Sequence, residues 1–281
     1  MPYNGRMETL NQKLAIVGLG KLGGLLAESF IARGLIQPKD LVATVRHSDR
    51  AEMLDKKYPF PVHIDNHAAV SGADIVLLAV KPQTMEEVCE SIQSVVTNDK
   101  LVISIIAGVP NASLERLFGD EVPVVRAMPN TPCSVGSGMT VLCRGKAAAD
   151  KDVALAERLF DTVGRTILLD ERHMDAVTGL SASGPAYIYV ILESLAEAGV
   201  KLGLPRDVAT LLAAQTAKGA SEQVLASGAH PALLKDEVTT PAGCTIDGLL
   251  ELEEGKLRVT LIKAVVKASE RARELYTESA D

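Results

Sequence analysis

No stretch of the 281-residue sequence reaches the roughly 18 uncharged apolar residues that a bilayer-spanning helix needs, so no membrane partner is expected. The opening MPYNGRMETLNQ is polar and has no apolar signal-peptide core, which makes a cytoplasmic location the expectation. Positive charge is also in short supply. With 29 Lys and Arg against 36 Asp and Glu the formal charge is −7, whereas a general nucleic-acid binder needs a basic surface to displace counterions. No nucleic-acid partner is expected. Cys89, Cys133, Cys143 and Cys244 contain no C-x-x-C pair, which argues against a zinc framework or a disulfide scaffold and predicts buried small hydrophobes in a reducing compartment. His47, His63, His67, His173 and His230 lack H-x-x-x-H spacing, so no metal is expected.

What the chain does carry begins at residue 13. KLAIVGLGKLGG is a short apolar strand running into Gly18, Gly20 and Gly23, spaced G-x-G-x-x-G, with Leu22, Leu25, Leu26 and Phe30 following at helical spacing. The continuous run Leu14, Ala15, Ile16, Val17 is the kind buried on both faces of a parallel sheet. A glycine at the turn, one where backbone approaches a pyrophosphate and one where helix packs on strand are the requirements of a dinucleotide site. Gly18, Leu19, Gly20, Lys21, Leu22 and Gly23 are therefore cofactor-binding candidates. The helix N-terminus offers unpaired N–H groups and a positive dipole end to phosphate oxygens.

From Lys13 to about Asp170, short β-branched runs at 14–17, 41–45, 74–80, 101–106, 123–128, 139–143 and 166–169 alternate with amphipathic segments such as 84–96 and 151–162. This alternation predicts βαβ units in a doubly wound, Rossmann-like parallel sheet, its last runs adding differently oriented strands at one edge. From Glu171 the strand signal stops. Helices are expected at 171–180, 185–202, 205–226, 231–238, 243–252 and 256–277, with Pro205 and Pro231 in first turns and Gly199, Gly203 and Gly228 at stops or bends. The expected fold is thus an α/β dinucleotide-binding domain over 1–170, its first twelve residues flexible, followed by an all-α domain over 171–281. In YIYVILESLAEAGV, Ile188, Val190, Ile191, Leu192 and Leu195 cover more than one helix face. Either a subunit interface or the centre of the helical domain would bury them, and a homodimer or higher homo-oligomer is the simpler expectation.

A site preferring NAD places Asp or Glu at the end of the second strand, about 20 residues past the glycines. Here the strand ends Ala43, Thr44, Val45, Arg46, His47, Ser48, with no carboxylate. Arg46 and Ser48, with Thr44 and His47, match a 2′-phosphate instead, because guanidinium meets phosphate bidentately and hydroxyls donate. NADP(H) is the favoured cofactor and NAD(H) the second. The competing reading of Arg46 is a solvated loop charge.

Four further blocks stand out: AVKPQ at 79–83, MPNTP at 128–132, GLSASGPAYIY at 179–189 and KDEVTTPAGCTIDGL at 235–249. Val80, Lys81 and Pro82 follow a buried strand, where ligands bind in open parallel sheets, although a surface lysine would read the same way. Pro129 and Pro132 stiffen a turn that either touches a ligand through Asn130 or merely closes a sheet edge. Pro241 and Gly243 stand beside Thr245 just before a helical pattern, so backbone N–H groups and a hydroxyl converge at a helix N-terminus, a good carboxylate site.

With the glycine turn, in this order and spacing from Lys13 to about Tyr276, these blocks resemble the pyrroline-5-carboxylate reductase family. The resemblance implies an NADPH-dependent hydride reduction of the cyclic imine 1-pyrroline-5-carboxylate to L-proline, the last step of proline biosynthesis. It implies that Ala79, Val80, Lys81 and Pro82 pass along the ribose and phosphates, that Asn66 reaches the adenosine side, and that Ile105, Ile106 and Ala107 line the nicotinamide region. Glu237, Gly243, Cys244 and Thr245 become the substrate-binding candidates, with Thr245 meeting the ring nitrogen as the one catalytic candidate. The chain departs from the commoner family wording at Ala182 and Ala242, where glycine or serine, and glycine, are frequent, and at Glu237, where some members carry an amide. Ala242 restricts φ, so its turn is expected to differ slightly. Two other functions compete: a related NADPH-dependent imine or hydroxy-acid oxidoreductase, and a non-catalytic nicotinamide-nucleotide sensor.

Overall fold

A computed structural model describes residues 9–277. It divides into two compact units, one of Met1–Ala182 with Ala268–Asp281 and one of Ser183–Lys267.

The first unit is built on an eight-stranded sheet. Its elements are β1 (Leu14–Val17), α1 (Lys21–Ala32), β2 (Leu41–Thr44), α2 (Ser48–Lys57), β3 (Val62–His63), α3 (Asn66–Ser71), β4 (Ile75–Leu78), α4 (Met85–Ile92), β5 (Leu101–Ser104), α5 (Asn111–Phe118), β6 (Val124–Met128), β7 (Gly138–Arg144), α6 (Asp150–Asp161), β8 (Gly164–Leu168) and α7 (Met174–Val177). The strand order is 3-2-1-4-5-6-7-8. The first six strands run parallel, β7 runs against β6, and β8 runs parallel to β7. That reversal has a local cause. The link from Met128 to Gly138 holds only a short 3-10 turn, Thr131–Val135, and is too short for the crossover that a parallel partner requires.

Alternate side chains of each central strand enter opposite core layers. Leu14 and Ile16 pack with Leu26, Phe30, Leu142 and Phe160, while Ala15 and Val17 pack with Val76, Leu78, Cys89 and Val124. This two-sided burial is why LAIV contains no polar residue. Phe30 and Phe160 meet edge to face, 6.4 Å between centroids, which ties α1 to α6. Leu10 is buried in the same layer and its N–H donates to Leu35 O at 2.7 Å. The chain is therefore anchored from Thr9 onward, against the expectation of a flexible segment through residue 12; residues 1–8 lie outside the described residues.

The second unit holds α8 (Gly184–Lys201), α9 (Arg206–Ser227), α10 (Pro231–Glu237), α11 (Cys244–Glu254) and the first part of α12 (Leu257–Thr277). Pro231 occupies a first-turn position, whereas Pro205 is the N-cap residue of α9. Gly199 lies inside α8, and Gly203 and Gly228, both with positive φ, end their helices. The helix expected over 171–180 is instead three short turns: 3-10 at Glu171–His173, then α7, then a π turn at Thr178–Ala182. Among the described residues no helix is long and apolar enough to cross a membrane.

Candidate active site

The sheet order reverses direction at β1, between β2 and β4, and the crevice beyond the carboxyl ends of β1 and β4 is where ligands of such sheets bind. The glycine turn fills that place. N–H groups of Gly18 and Leu19 donate to Thr44 O at 3.2 and 2.7 Å, and Gly20 N–H donates to Gly18 O at 2.8 Å. Gly18 has φ +97°, and a Cβ there would stand 2.8 Å from Val80 Cγ1 and 2.9 Å from Ala79 O. At Gly23 a Cβ would stand 2.8 Å from Gly18 O, so this residue sets how closely α1 meets the turn. Around Gly20 nothing lies within 4 Å. The second glycine thus faces free space, unlike the first and third. Among the described residues the N–H groups of Lys21, Leu22 and Gly23 have no hydrogen-bond acceptor, so they and the helix dipole are available to an anion.

Two placements, Leu19 and Thr44, differ from what the sequence suggests. Leu19 has its N–H committed to Thr44 and its side chain buried, so it supports the turn without an atom left for phosphate. Thr44 is 1 % exposed; its carbonyl holds Gly18 and Leu19 and its Oγ1 accepts from Gly18 N–H at 3.4 Å, so its role is to fix the turn. Arg46 and Ser48 are exposed, with His47 as the N-cap residue of α2. Arg50 lies in the first turn of that helix and joins them as a candidate phosphate ligand; its signal was the second arginine of RHSDR. Asn66 is half-buried at the start of α3, and Asp65, accepting from Ala68 N–H at 3.0 Å, is the cap, which leaves the Asn66 amide free of that duty. Lys81 is exposed directly after the Ala79–Val80 passage that lines the turn.

A pocket of about 240 Å³ opens beside the N-terminus of α1. Lys21 and Leu22, Ile105 and Ala107 after β5, Met128 to Thr131 after β6, and Thr178 and Ala182 of the π turn form its wall. Ile106 does not: it is buried in the opposite core layer. The size and apolar lining suit a flat aromatic ring. Asn130 is held as a strut, its Nδ2 donating to Ser181 O at 3.2 Å and its Oδ1 accepting from Met139 N–H at 2.9 Å. Met128, Thr131 and Thr178 were not singled out in the sequence, although all lie in or beside the MPNTP and GLSASGP blocks. A broader, shallower depression of about 610 Å³ over Arg144, Leu168–Glu171 and His173 has no glycine turn at its edge.

The second unit presents the other candidate residues. Gly243 N–H donates to Thr240 O at 3.0 Å, closing a turn with Pro241 second and Ala242 third. Ala242 has φ +55°, the value a type II turn demands at this place and normally fills with glycine. Gly243 caps α11; the N–H groups of Cys244, Thr245 and Ile246, and the half-buried Thr245 hydroxyl, have no partner among the described residues. Cys244 is exposed, which corrects the expectation of four buried cysteines. Cys89, Cys133 and Cys143 are buried, and burial pushes the Cys89 thiol up to about 12 and Cys143 to about 11, so neither is a nucleophile. Glu237 is exposed at the end of α10, beside the Asp236–Lys235 pair at 3.0 Å. Among the described residues no group of three His, Cys, Asp or Glu stands close enough to hold a metal.

A family model described as pyrroline-5-carboxylate reductase dimerisation matches residues 171–275, and one described as NADP oxidoreductase, coenzyme F420-dependent, matches 13–108. A pyrroline-5-carboxylate reductase of Methanosarcina acetivorans is 41 % identical over 265 residues, 94 % of this chain and 98 % of that one. The chain belongs to the pyrroline-5-carboxylate reductase family. Among solved structures, the pyrroline carboxylate reductase of Plasmodium falciparum with NADP bound is 33 % identical, with TM-score 0.88 over 96 % of this chain and 100 % of its own. The Coxiella burnetii pyrroline-5-carboxylate reductase is 35 % identical, with TM-score 0.84 over 95 % and 99 %.

For a member of this family, alanine at position 242 is a strained choice, because a Cβ in the left-handed region costs about 1–2 kcal/mol. Ala242→Gly removes that strain and returns part of it as backbone entropy of the unfolded chain, so a net gain of about 0.5–1 kcal/mol is expected. Urea unfolding at fixed protein concentration measures it. A lower midpoint for the glycine variant would show that the turn does not hold Ala242 under strain.

Proposed function

We propose that the chain reduces 1-pyrroline-5-carboxylate to L-proline, using NADPH in preference to NADH. The observation that carries the reading is the glycine turn: two glycines jammed against Ala79, Val80 and the turn itself, and a third left open before three unpaired N–H groups. That arrangement serves a dinucleotide, and family membership supports the imine as substrate.

When bound, the coenzyme supplies the hydride that converts the C=N carbon to a CH2 group. The residues of the chain bind and orient. Lys21, Leu22 and Gly23 donate backbone N–H groups to the diphosphate, with Gly20 giving it room. Arg46 and Ser48 bind the 2′-phosphate where an NAD enzyme would carry a carboxylate. Asn66 and the Ala79–Pro82 passage serve the adenosine and ribose side. Ile105, Ala107, Met128 and Thr178 line an apolar pocket that receives the nicotinamide and keeps water from it. In the second unit, the Cys244, Thr245 and Ile246 N–H groups bind the substrate carboxylate, Gly243 closing the turn with its own N–H on Thr240 O, with exposed Glu237 near in sequence, and the Thr245 hydroxyl hydrogen-bonds the ring nitrogen. No strong acid is required of the protein, because a substrate arriving as the iminium already carries the proton.

The protein acts as a homo-oligomer through its helical unit. Tyr189, Val190 and Leu195 of α8, Leu211 and Leu212 of α9 and Ile262 of α12 are all at least half exposed, more apolar surface than a helical unit alone in water leaves uncovered.

Loss of the reduced-nicotinamide absorbance on adding the imine tests the reaction; binding of NADPH without such loss would point to a sensor instead. In the same assay Arg46→Ala is expected to raise the KM for NADPH about tenfold, or ~1.4 kcal/mol, and to leave that for NADH unchanged. Equal KM values for NADPH in parent and variant would remove Arg46 from the phosphate site.

A further inference from the structure

Arg126 lies in the middle of β6, beside Ser104 of β5 and Cys143 of β7, and is only 3 % exposed. Its neighbours on the strand, Val125 and Ala127, enter the opposite core layer. A guanidinium in such a place needs a counter-charge. Glu171 supplies it, Oε1 accepting from Nη1 at 3.1 Å, while Nε and Nη2 of Arg126 are buried with no partner. The same Oε1 accepts from Asn111 N–H, at the start of α5, at 2.8 Å. One carboxylate oxygen thus joins β6, α5 and the turn at Glu171–His173.

Both chain segments that meet at this pair go on to line the 240 Å³ pocket. Two residues beyond Arg126 come Met128 to Thr131, and seven and eleven beyond Glu171 come Thr178 and Ala182. The segment between is α7 and the π turn; its Met174 is buried with Met128, Val141 and Cys143, and Val177 and Ala182 pack against that cluster. Its end is held by Asn130 through Ser181. Its middle carries the Arg273–Asp175 pair at 3.3 Å, with Asp175 half-buried and Arg273 exposed, so that the pair is open to solvent on one side and holds weakly. The polar anchor at its start, beside the apolar one at Met174, is Arg126–Glu171.

We propose that Glu171, held by Arg126, is a positioning residue for coenzyme binding: it sets where the π turn places Thr178 and Ala182, and so the fit of the nicotinamide ring. The inference rests on the reading of this pocket as the nicotinamide site. It assigns a function to a pair that touches neither coenzyme nor substrate.

The test compares two ligands on the full chain: NADPH, followed by its fluorescence, and 2′-phospho-ADP-ribose, which lacks only the nicotinamide, followed by calorimetry. Glu171→Ala is expected to weaken NADPH about tenfold and to leave 2′-phospho-ADP-ribose within twofold of the parent. Glu171→Gln, which keeps an acceptor oxygen but not the charge, is expected to weaken NADPH about threefold with the second ligand again unchanged. This variant carries the test if the alanine form does not fold. Equal weakening of both ligands would mark a merely structural pair, and unchanged NADPH affinity in the folded variants would show that the pair does not reach the pocket; either result overturns the proposal. A parent chain that binds neither ligand would overturn the coenzyme reading itself, and the inference with it.

Discussion

Gly20→Ala is expected to weaken NADPH binding by ten- to a hundredfold while the protein stays folded, its thermal midpoint within about 4 °C of the parent. The two halves of this expectation come from one fact. Nothing lies within 4 Å of a Cβ built at Gly20, so the methyl meets no protein atom, and the backbone there is extended and open to alanine. Loss of a good helix N-cap costs under about 1 kcal/mol. With coenzyme present, the methyl enters the space of the diphosphate, and forcing one extra carbon into a close contact costs about 1–3 kcal/mol. Gly18→Ala supplies the contrast. There the Cβ meets Ala79 and Val80 at under 3 Å with φ at +97°, so the turn itself must shift and the fold is destabilised before any ligand arrives. Calorimetric titration and thermal unfolding of both variants measure this. A Gly20→Ala protein that bound NADPH as the parent does would put the diphosphate elsewhere.

Thr245→Ala is expected to lower kcat by ten- to a hundredfold, the ~1.4–3 kcal/mol of one hydrogen bond made to a charged group at the transition state. Thr245 stands in the first turn of α11, behind a glycine cap, with a hydroxyl that no group of the protein engages among the described residues. Thr210 of α9 and Thr260 of α12 instead donate to a carbonyl four residues back, Arg206 O at 2.8 Å and Lys256 O at 3.1 Å, whereas Thr216 in the middle of α9 makes no such bond among the described residues. Thr245 differs from Thr216 in standing at a helix N-terminus beside unpaired N–H groups. Thr245→Ser should retain most of the rate and both variants should bind NADPH unchanged, which separates a substrate contact from a structural one. An unaltered kcat in Thr245→Ala would take the residue out of the mechanism.

Much of this was legible in the sequence because it depends on contiguous residues. The doubly wound sheet follows from apolar runs spaced by helices, and the close packing at Gly18 and Gly23 with open space at Gly20 from their spacing alone. The strand β3 was not legible: Val62–His63 is two residues long at the sheet edge and has too few positions to show a period. Thr44 was misplaced for a different reason. The residue type suits a phosphate ligand, but its carbonyl and hydroxyl are spent on Gly18 and Leu19, a backbone use that no side-chain pattern displays. Cys244 read as a core residue because cysteine usually is one, whereas position N1 of a capped helix faces outward. The Arg126–Glu171 pair spans 45 residues and joins a strand that reads as apolar to a turn that reads as solvated, so neither end announces the other. The π turn is likewise a matter of hydrogen-bond geometry, to which TGLSA gives no periodic clue.

In the proposed reaction a hydride passes from the nicotinamide ring to the imine carbon of pyrroline-5-carboxylate. Turnover with NADPH carrying deuterium at both C4 positions, followed by mass spectrometry and NMR of the product, tests it most directly. Proline one mass unit heavier is expected, with the label on the ring carbon that had been double-bonded to nitrogen. Unlabelled proline, or bound coenzyme with no proline formed, would contradict it.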